Sequence, residues 1–185
     1  MGAGQILYVA ERLANRVIAR QPNGSVAAFA GGGTQLGDGG PATAANLERP
    51  EGLAYDAQSG DLYIADAGNF LVRRVDLGGI ITSVAGTGAQ NFTSNWIVPA
   101  QVGGDLLRVP MTPTGLAVTS DRRLWIASQG RLDVLPLAGG APGATPSPTA
   151  VAPAQSCDIT GNGSVTTVDA VRVLQFVAGQ QSTCP

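Results

Sequence analysis

The chain has 185 residues, a formal net charge of −2 and no histidine. This charge provides no basic surface for nucleic acid, and the lack of histidine excludes imidazole general bases, Ser-His-Asp triads and His-ligated zinc. Its 26 glycines, 12 prolines and 44% apolar residues are typical of short strands joined by tight turns, and no apolar run is long enough to span a membrane.

Three related segments follow one another along the chain. LYVAE begins at Leu7, LYIAD at Leu62 and LWIAS at Leu124, and a Pro-x-Gly-Leu-Ala segment precedes the second and third copies from Pro50 and Pro113. The spacing, roughly 55 to 62 residues, lies at or slightly above the repeat length of β-propellers. The repeats therefore predict one small β-sheet per segment.

The second segment predicts four successive strands, and the third begins in the same way. Weak apolar alternation along them indicates sheets that are covered on both faces. The first segment has no clear leading strand before Leu7, and the third has no obvious fourth strand after Leu135. The expected strands are Gly52–Asp56, Leu62–Ala65, Leu71–Val75, Thr82–Ala85 and Gly115–Thr119.

Polar residues near the strand ends have two interpretations. Asp38, Asp66 and Asn69 could line a ligand groove, but as residue types that form turns they are expected to be structural. Arg73 and Arg74 could contact an acidic partner, and we expect them instead to be solvated strand charges.

The tryptophans differ in their setting. Trp125 aligns with Tyr8 and Tyr63, which predicts a repeated packing position. Trp96 lies in the divergent insert 90–113, where it could stack on a sugar or a peptide.

Several motifs make residues 5–138 resemble NHL repeats: GDGGPAT at 37–43, LYIADAGN at 62–69 and VAGTG at 84–88. The resemblance implies a mainly β fold of about three propeller blades, in a family whose closed propellers usually have six. An open arc would expose strand edges. We therefore expect a fragment of a longer protein or an arc completed by another chain, as a closed ring or a filament, with an open monomer as the third alternative.

Residues 139–156 form a Pro/Ala/Ser/Thr-rich linker that separates a domain at 1–138 from one at 157–185. Its prolines favour an extended path. Such tracts can carry O-linked glycans outside the cell, and a bare spacer is the alternative.

Residues 158–169, DITGNGSVTTVD, have the spacing of a calcium-binding loop, with Gly163 at the sixth position, where the chain must turn sharply. Ser164 would contribute its carbonyl oxygen, and Thr166 could act through a water. A simple Asn-Gly turn before a helix is the alternative interpretation. The predicted calcium ligands are Asp158, Thr160, Asn162, Ser164, Thr166 and Asp169.

After this loop, apolar residues at helical spacing predict a short helix that ends at Gly179. Residues 157–180 resemble one half of a dockerin, a family that has two such halves and binds cohesins. With only two carboxylates in the loop, we expect an affinity suited to millimolar extracellular calcium. Cohesin binding is less expected, since the second half is missing.

Cys157 and Cys184 bracket this module, which favours a disulfide formed in an oxidising compartment, with two free thiols as the alternative. No signal peptide is visible, so a secreted protein would have lost it or would start elsewhere.

The combined prediction is an extracellular, non-enzymatic structural or interaction protein that associates with itself or with another extracellular protein. One alternative is a fragment of a larger secreted propeller anchored to a cohesin-type scaffold. Another is a propeller lyase or lactonase, whose sites take metal ligands, often including histidine, from several blades.

Overall fold

The computed structural model describes residues 6–90, 105–128 and 131–138. Within these ranges, ten strands form three antiparallel sheets, each a simple meander that we call a blade. The mainly β fold and the three blades predicted from the sequence are confirmed. No helix among the described residues has the length and apolar character needed to cross a membrane.

The blades follow one another in chain order. The first contains β1 Leu7–Glu11, β2 Arg16–Arg20 and β3 Val26–Ala30. The second contains β4 Pro50–Tyr55, β5 Leu62–Asp66, β6 Leu71–Val75 and β7 Ile81–Ala85. The third contains β8 Pro113–Val118, β9 Arg123–Ser128 and β10 Arg131–Pro136.

The first strands of the second and third blades begin two residues earlier than expected. Pro50 pairs with Asp66 and Pro113 pairs with Ser128, and a register shift follows each pair. Proline is tolerated at the first position of a strand or beside a bulge because it has no N–H to donate to the ladder. The repeated proline therefore marks where each of these strands starts.

The second and third blades meet along their first strands. A Cβ added to Gly52 of β4 would lie 2.8 Å from the carbonyl oxygen of Thr114 and 3.0 Å from the Cα of Gly115, both in β8. Only a residue without a side chain allows this approach. The glycine of the repeated Pro-x-Gly-Leu-Ala segment thus lets β4 and β8 pack closely.

Two apolar cores lie between the blades, so both faces of the second blade are covered. The core between the first and second blades includes Val17, Ala30, Leu62, Ile64 and Ile81. The core between the second and third blades includes Tyr63, Val72, Ala85, Leu124 and Ile126. Burial on both faces explains the weak alternation along β5 and β6.

The connections between blades begin with an equivalent turn. Gly31 and Gly86 have φ angles of 91° and 93°, a left-handed conformation that favours glycine. The Gly31 N–H donates to the carbonyl of Ala42, and the Gly86 N–H donates to that of Leu106, each over 2.9 Å. Short 3-10 helices stand at both acceptors, η2 at Ala42–Ala44 and η3 at Leu106–Arg108. The divergent insert therefore ends in the same geometry without the Gly-Asp-Gly-Gly turn.

Candidate functional site

The first blade has one face packed against the second blade and one exposed face that is mainly apolar and also carries Arg20. On the exposed face, Leu7 lies opposite Arg20 and Val9 opposite Ile18, while Arg20 in turn lies opposite Val26. Leu7 is 56% exposed, Val26 57% and Val9 37%. We call this surface the head face and define it as Leu7, Val9, Ile18, Val26 and Ala28.

The second blade shows what normally covers this surface. Leu62, Ile64 and Ile81 occupy the repeat positions of Leu7, Val9 and Val26, and each is at most 2% exposed. They are buried in the core against the first blade. The head face therefore consists of interface positions that lack a neighbouring blade among the described residues. An exposed apolar patch of this kind is a candidate interaction surface.

The inner edge of the first blade is also open. β5 pairs with β4 and β9 pairs with β8, whereas β1 has only β2 as a partner in the described part of the chain. A strand edge presents a row of N–H and C=O groups that can pair with another chain. The exposed edge and the head face lie on the same blade.

Polar contacts at the end of β1 differ from those of the later blades. Asp66 and Ser128, at equivalent strand ends, accept N–H groups of the incoming chain, from Glu48 over 2.7 Å and from Thr112 over 2.9 Å. Glu11 holds the same position in β1, and its carboxylate pairs with Arg16 of β2. Among residues 6–90, 105–128 and 131–138, no incoming segment is held at the end of β1 in the way seen in the other two blades.

The prediction that Arg73 is a solvated strand charge is wrong. Its side chain is fully buried, because the loop at 36–38 covers β6. Its Nη2 donates to the carbonyl of Leu36 over 2.6 Å and to Asp38 over 2.5 Å, and its Nη1 lies 3.5 Å from the carboxylate of Asp66. Arg74, in contrast, is partly exposed and pairs with Asp61 over 2.7 Å.

Asp66 serves the packing of the blade rather than a ligand groove. The side-chain amide of Asn69 donates to its carboxylate over 2.9 Å and to the carbonyl of Asn46 over 3.2 Å. Burial raises the pKa of Asp66, against the opposing effect of these donors and of Arg73. As predicted, Asp38 and Asn69 lie in turns. In addition, Asp38 and Asp66 both lie beside the Arg73 guanidinium, and Asn69 bonds to Asp66.

The repeated aromatic position is buried to different degrees. Tyr63 is buried in the second core, and burial raises its pKa to about 12. The Tyr8 ring lies 4.7 Å from that of Phe29 and stacks on that of Tyr55 at 6.0 Å. Trp125 is half-buried. These contacts agree with the packing role predicted for this position.

The predicted calcium and disulfide residues all lie outside the described ranges, as do the linker 139–156 and Trp96, so these predictions stay untested. Among the described residues, no group of three or more His, Cys, Asp or Glu side chains could hold a metal ion. The residues concerned are Asp158, Thr160, Asn162, Ser164, Thr166, Asp169, Cys157 and Cys184.

The residues of the head face were not identified as a group from the sequence, although the open edge of the first blade was expected. The available signal was the alignment of Leu7, Val9 and Val26 with the buried residues of the second segment. Because a covered blade is apolar on both faces, the pattern alone did not distinguish a covered face from an open one.

Comparison with known families places these blades among NHL domains. The family model described as the Teneurin NHL domain matches residues 30–130. No curated protein matches the chain.

Among solved structures, a protein of unknown function from Bacteroides thetaiotaomicron is 25% identical with a TM-score of 0.50, over 66% of this chain and 29% of its own. An auxiliary nutrient binding protein from the same bacterium is 17% identical, with a TM-score of 0.49 over 68% and 33%. A gluconolactonase from Xanthomonas campestris is 18% identical, with a TM-score of 0.42 over 67% and 31%. The chain thus spans about a third of the length of these structures.

Proposed function

The chain belongs to the Teneurin NHL domain family, and we propose that it is an extracellular, non-enzymatic structural or protein-interaction protein whose blades associate between chains. The observation that carries this proposal is the head face. Three apolar side chains there, Leu7, Val9 and Val26, are at least 37% exposed at positions that the second blade buries.

The energetic argument rests on the apolar area that association would remove from water. Full burial of one Val or Leu side chain is worth about 1.5–3 kcal/mol relative to full exposure. Leu7 and Val26 are each a little more than half exposed. Together they would therefore contribute about 2–3 kcal/mol, before the contributions of Val9 and of the open edge of β1.

Calcium is proposed to stabilise the C-terminal module, which acts as a second docking element. The basis is the twelve-residue loop, with carboxylates at its first and last positions, Asp158 and Asp169. A Cys157–Cys184 bridge would hold so small a module together in an oxidising, extracellular setting. Glycans on the linker 139–156 belong to the same proposal.

The second candidate is that the chain is a fragment of a larger secreted propeller anchored to a cohesin-type scaffold. It is favoured by the match to only 29% of a solved neighbour's length. Lyase or lactonase activity is the least favoured alternative, since the chain has no histidine. Turnover of a lactone substrate by the purified chain would establish that alternative.

The test is the solution mass of the full chain by light scattering, first with about 1 mM calcium and then with a chelator. We expect a dimer or larger polymer in calcium. Dissociation by the chelator would place the C-terminal module in the contact, and persistence would leave the contact to the blades.

Two variants locate the contact. Leu7→Asp puts a charge on the head face and is expected to reduce the mass to that of a monomer. Leu77→Asp is the matched control, because Leu77 is 80% exposed on the second blade, away from the head face, and should leave the mass unchanged. A wild-type chain that is monomeric in both conditions would overturn the association proposal.

Calcium binding is tested separately by isothermal titration of the full chain. Heat of binding that is lost in Asp158→Ala and in Asp169→Ala is the expected result. No binding at millimolar calcium would remove the metal from the proposal without affecting the head face.

A further inference from the structure

We infer that the partner of the head face is a second copy of this chain, bound through the face of its third blade that points away from the second blade. We call that surface the tail face and define it as Ala117, Trp125 and Leu132. This inference rests on the proposed function and deepens it, since it names both the partner and the partner's surface.

The chain already contains two copies of the required interface. In the first core, the face with Val17 covers Leu62 and Ile64 of the next blade. In the second core, the face with Val72 covers Leu124 and Ile126 in the same way. Each blade thus presents one kind of face to the preceding blade and a complementary kind to the following blade.

The head face is of the first kind and has no preceding blade among the described residues. Leu7 and Val9 occupy the repeat positions of Leu62 and Ile64 and also those of Leu124 and Ile126. The surface that packs against such residues within the chain contains Val17 in the first blade and Val72 in the second, and in both the valine lies beside small residues.

The tail face is of the second kind. Ala117 pairs with Trp125, and Leu132 pairs with Ala127, so these side chains lie on one side of the third blade. Trp125 and Leu132 occupy the positions of Tyr63 and Val72, which are at most 3% exposed beneath the third blade. The three tail-face residues are only half-buried, although Ala127 and Val134 on the same side are buried.

A difference at the centre of the head face favours a contact between separate chains. Arg73 occupies this position in the second blade and depends on Leu36 and Asp38, which lie in the covalent connection from the first blade. Between two chains no such connection exists, and a buried arginine would lose its partners at high cost. The first blade has Ile18 at this central position, which can be buried without a partner, whereas its arginine on this face, Arg20, is the last residue of β2 and is exposed.

The contact is heterologous, because the head face of one copy meets the tail face of another. Two arcs would close a ring if the rotation between them suits it, and a rotation that does not close gives a filament. In either case each chain contributes two different surfaces. A head-to-head dimer, in contrast, would use one surface only.

Complementary variants test this arrangement by sedimentation velocity on the full chain. Leu7→Asp blocks the head face and Leu132→Asp blocks the tail face, so each variant alone is expected to be a monomer. An equal mixture still holds one intact head and one intact tail, and should form a species of twice the monomer mass and nothing larger. Leu77→Asp should assemble as the wild type does.

Circular dichroism of each variant shows whether it keeps the fold. Should either variant unfold, Val26→Asp for the head and Ala117→Asp for the tail replace the pair. Association that survives in the tail variant but fails in the head variant, with no recovery on mixing, would overturn the head-to-tail contact in favour of a head-to-head dimer. The proposed self-association would then still stand.

Loss of self-association in the wild-type chain itself would end both this inference and the association part of the proposed function. Association that neither variant affects would refute the use of these two faces and leave association through another surface. The mixing experiment therefore separates failure of the partner surface from failure of self-association.

Discussion

Replacement of Arg73 by methionine tests the buried ion cluster of the second blade. The guanidinium is fully buried, with Asp66 also fully buried 3.5 Å away, whereas the side chain of Asp38 is 49% exposed. Removal of one partner of a buried pair costs about 3–5 kcal/mol, while a pair with a half-exposed partner contributes about 0–1 kcal/mol. We therefore expect Arg73→Met to lower the free energy of unfolding by about 3–6 kcal/mol.

The loss should also depend on pH in a defined direction. Burial raises the pKa of Asp66, so the ionised carboxylate already reduces stability at neutral pH relative to the neutral form. Without Arg73 that pKa rises further. The difference between wild type and variant is therefore expected to be largest near pH 7 and to shrink as the pH falls through the raised pKa of Asp66.

Urea unfolding followed by circular dichroism, at pH 7 and in steps towards pH 4, measures both effects. For a chain of this size, a loss of about 3–6 kcal/mol corresponds to a fall in Tm of roughly 6–24 °C. The matched control is Ile18→Met at the same repeat position of the first blade, which should change stability by less than about 1 kcal/mol. A loss below about 1 kcal/mol for Arg73→Met at pH 7 would refute the assignment of a buried arginine that is held by Asp38 and Asp66.

Two further variants test the contacts between the second and third blades. Gly52→Ala should cost about 1–3 kcal/mol in thermal unfolding, because its Cβ would lie 2.8 Å from the carbonyl oxygen of Thr114; an unchanged Tm would contradict the close approach of β4 and β8. Burial alone would raise the pKa of Asp56, but donors on Ser59 and Gln58 and the charge of Arg122, 3.2 Å away, lower it below its usual range. Its stabilisation is therefore present above about pH 4 and is lost as the pH falls through the lowered pKa, and Asp56→Asn should remove this acid dependence from the unfolding free energy measured between about pH 5 and pH 2.

The strands were predictable because the segments repeat. Leu71–Val75 was predicted with the bounds that the structure has, and Leu62–Asp66 extends its prediction by one residue. Strand starts were less accurate, since a proline at the first position does not look like part of a ladder. The register shifts after Pro50 and after Pro113, and the remaining residues of β4 and β8 then pair with β5 and β9.

Arg73 could not be assigned correctly from local sequence. Its partner Asp38 lies 35 positions earlier, in a loop whose contacts depend on how two blades stack. Arg74, its neighbour in the sequence, points to the other side of the strand and is partly exposed. One residue of register thus separates a buried charge from a solvated one.

The candidate interaction surface was predictable only in part. A count of three segments indicated open blade edges, but which side chains lie on the open face followed only from strand register. The calcium loop, in contrast, is predicted from local sequence alone, because the prediction rests on spacing within twelve consecutive residues, from Asp158 to Asp169.

The stacking of the blades also determines which strands unfold locally first. Each blade is a local meander, and the second is flanked on both sides by apolar cores while the others have one described neighbour each. Stability in such a stack is approximately a sum of unit terms and nearest-neighbour terms, as in repeat proteins. Local unfolding then starts in the outer units, and amide hydrogen exchange should be slowest in β5 and β6 and fastest in β1. A partner docked on the head face would slow exchange first in the strand that is otherwise the least protected.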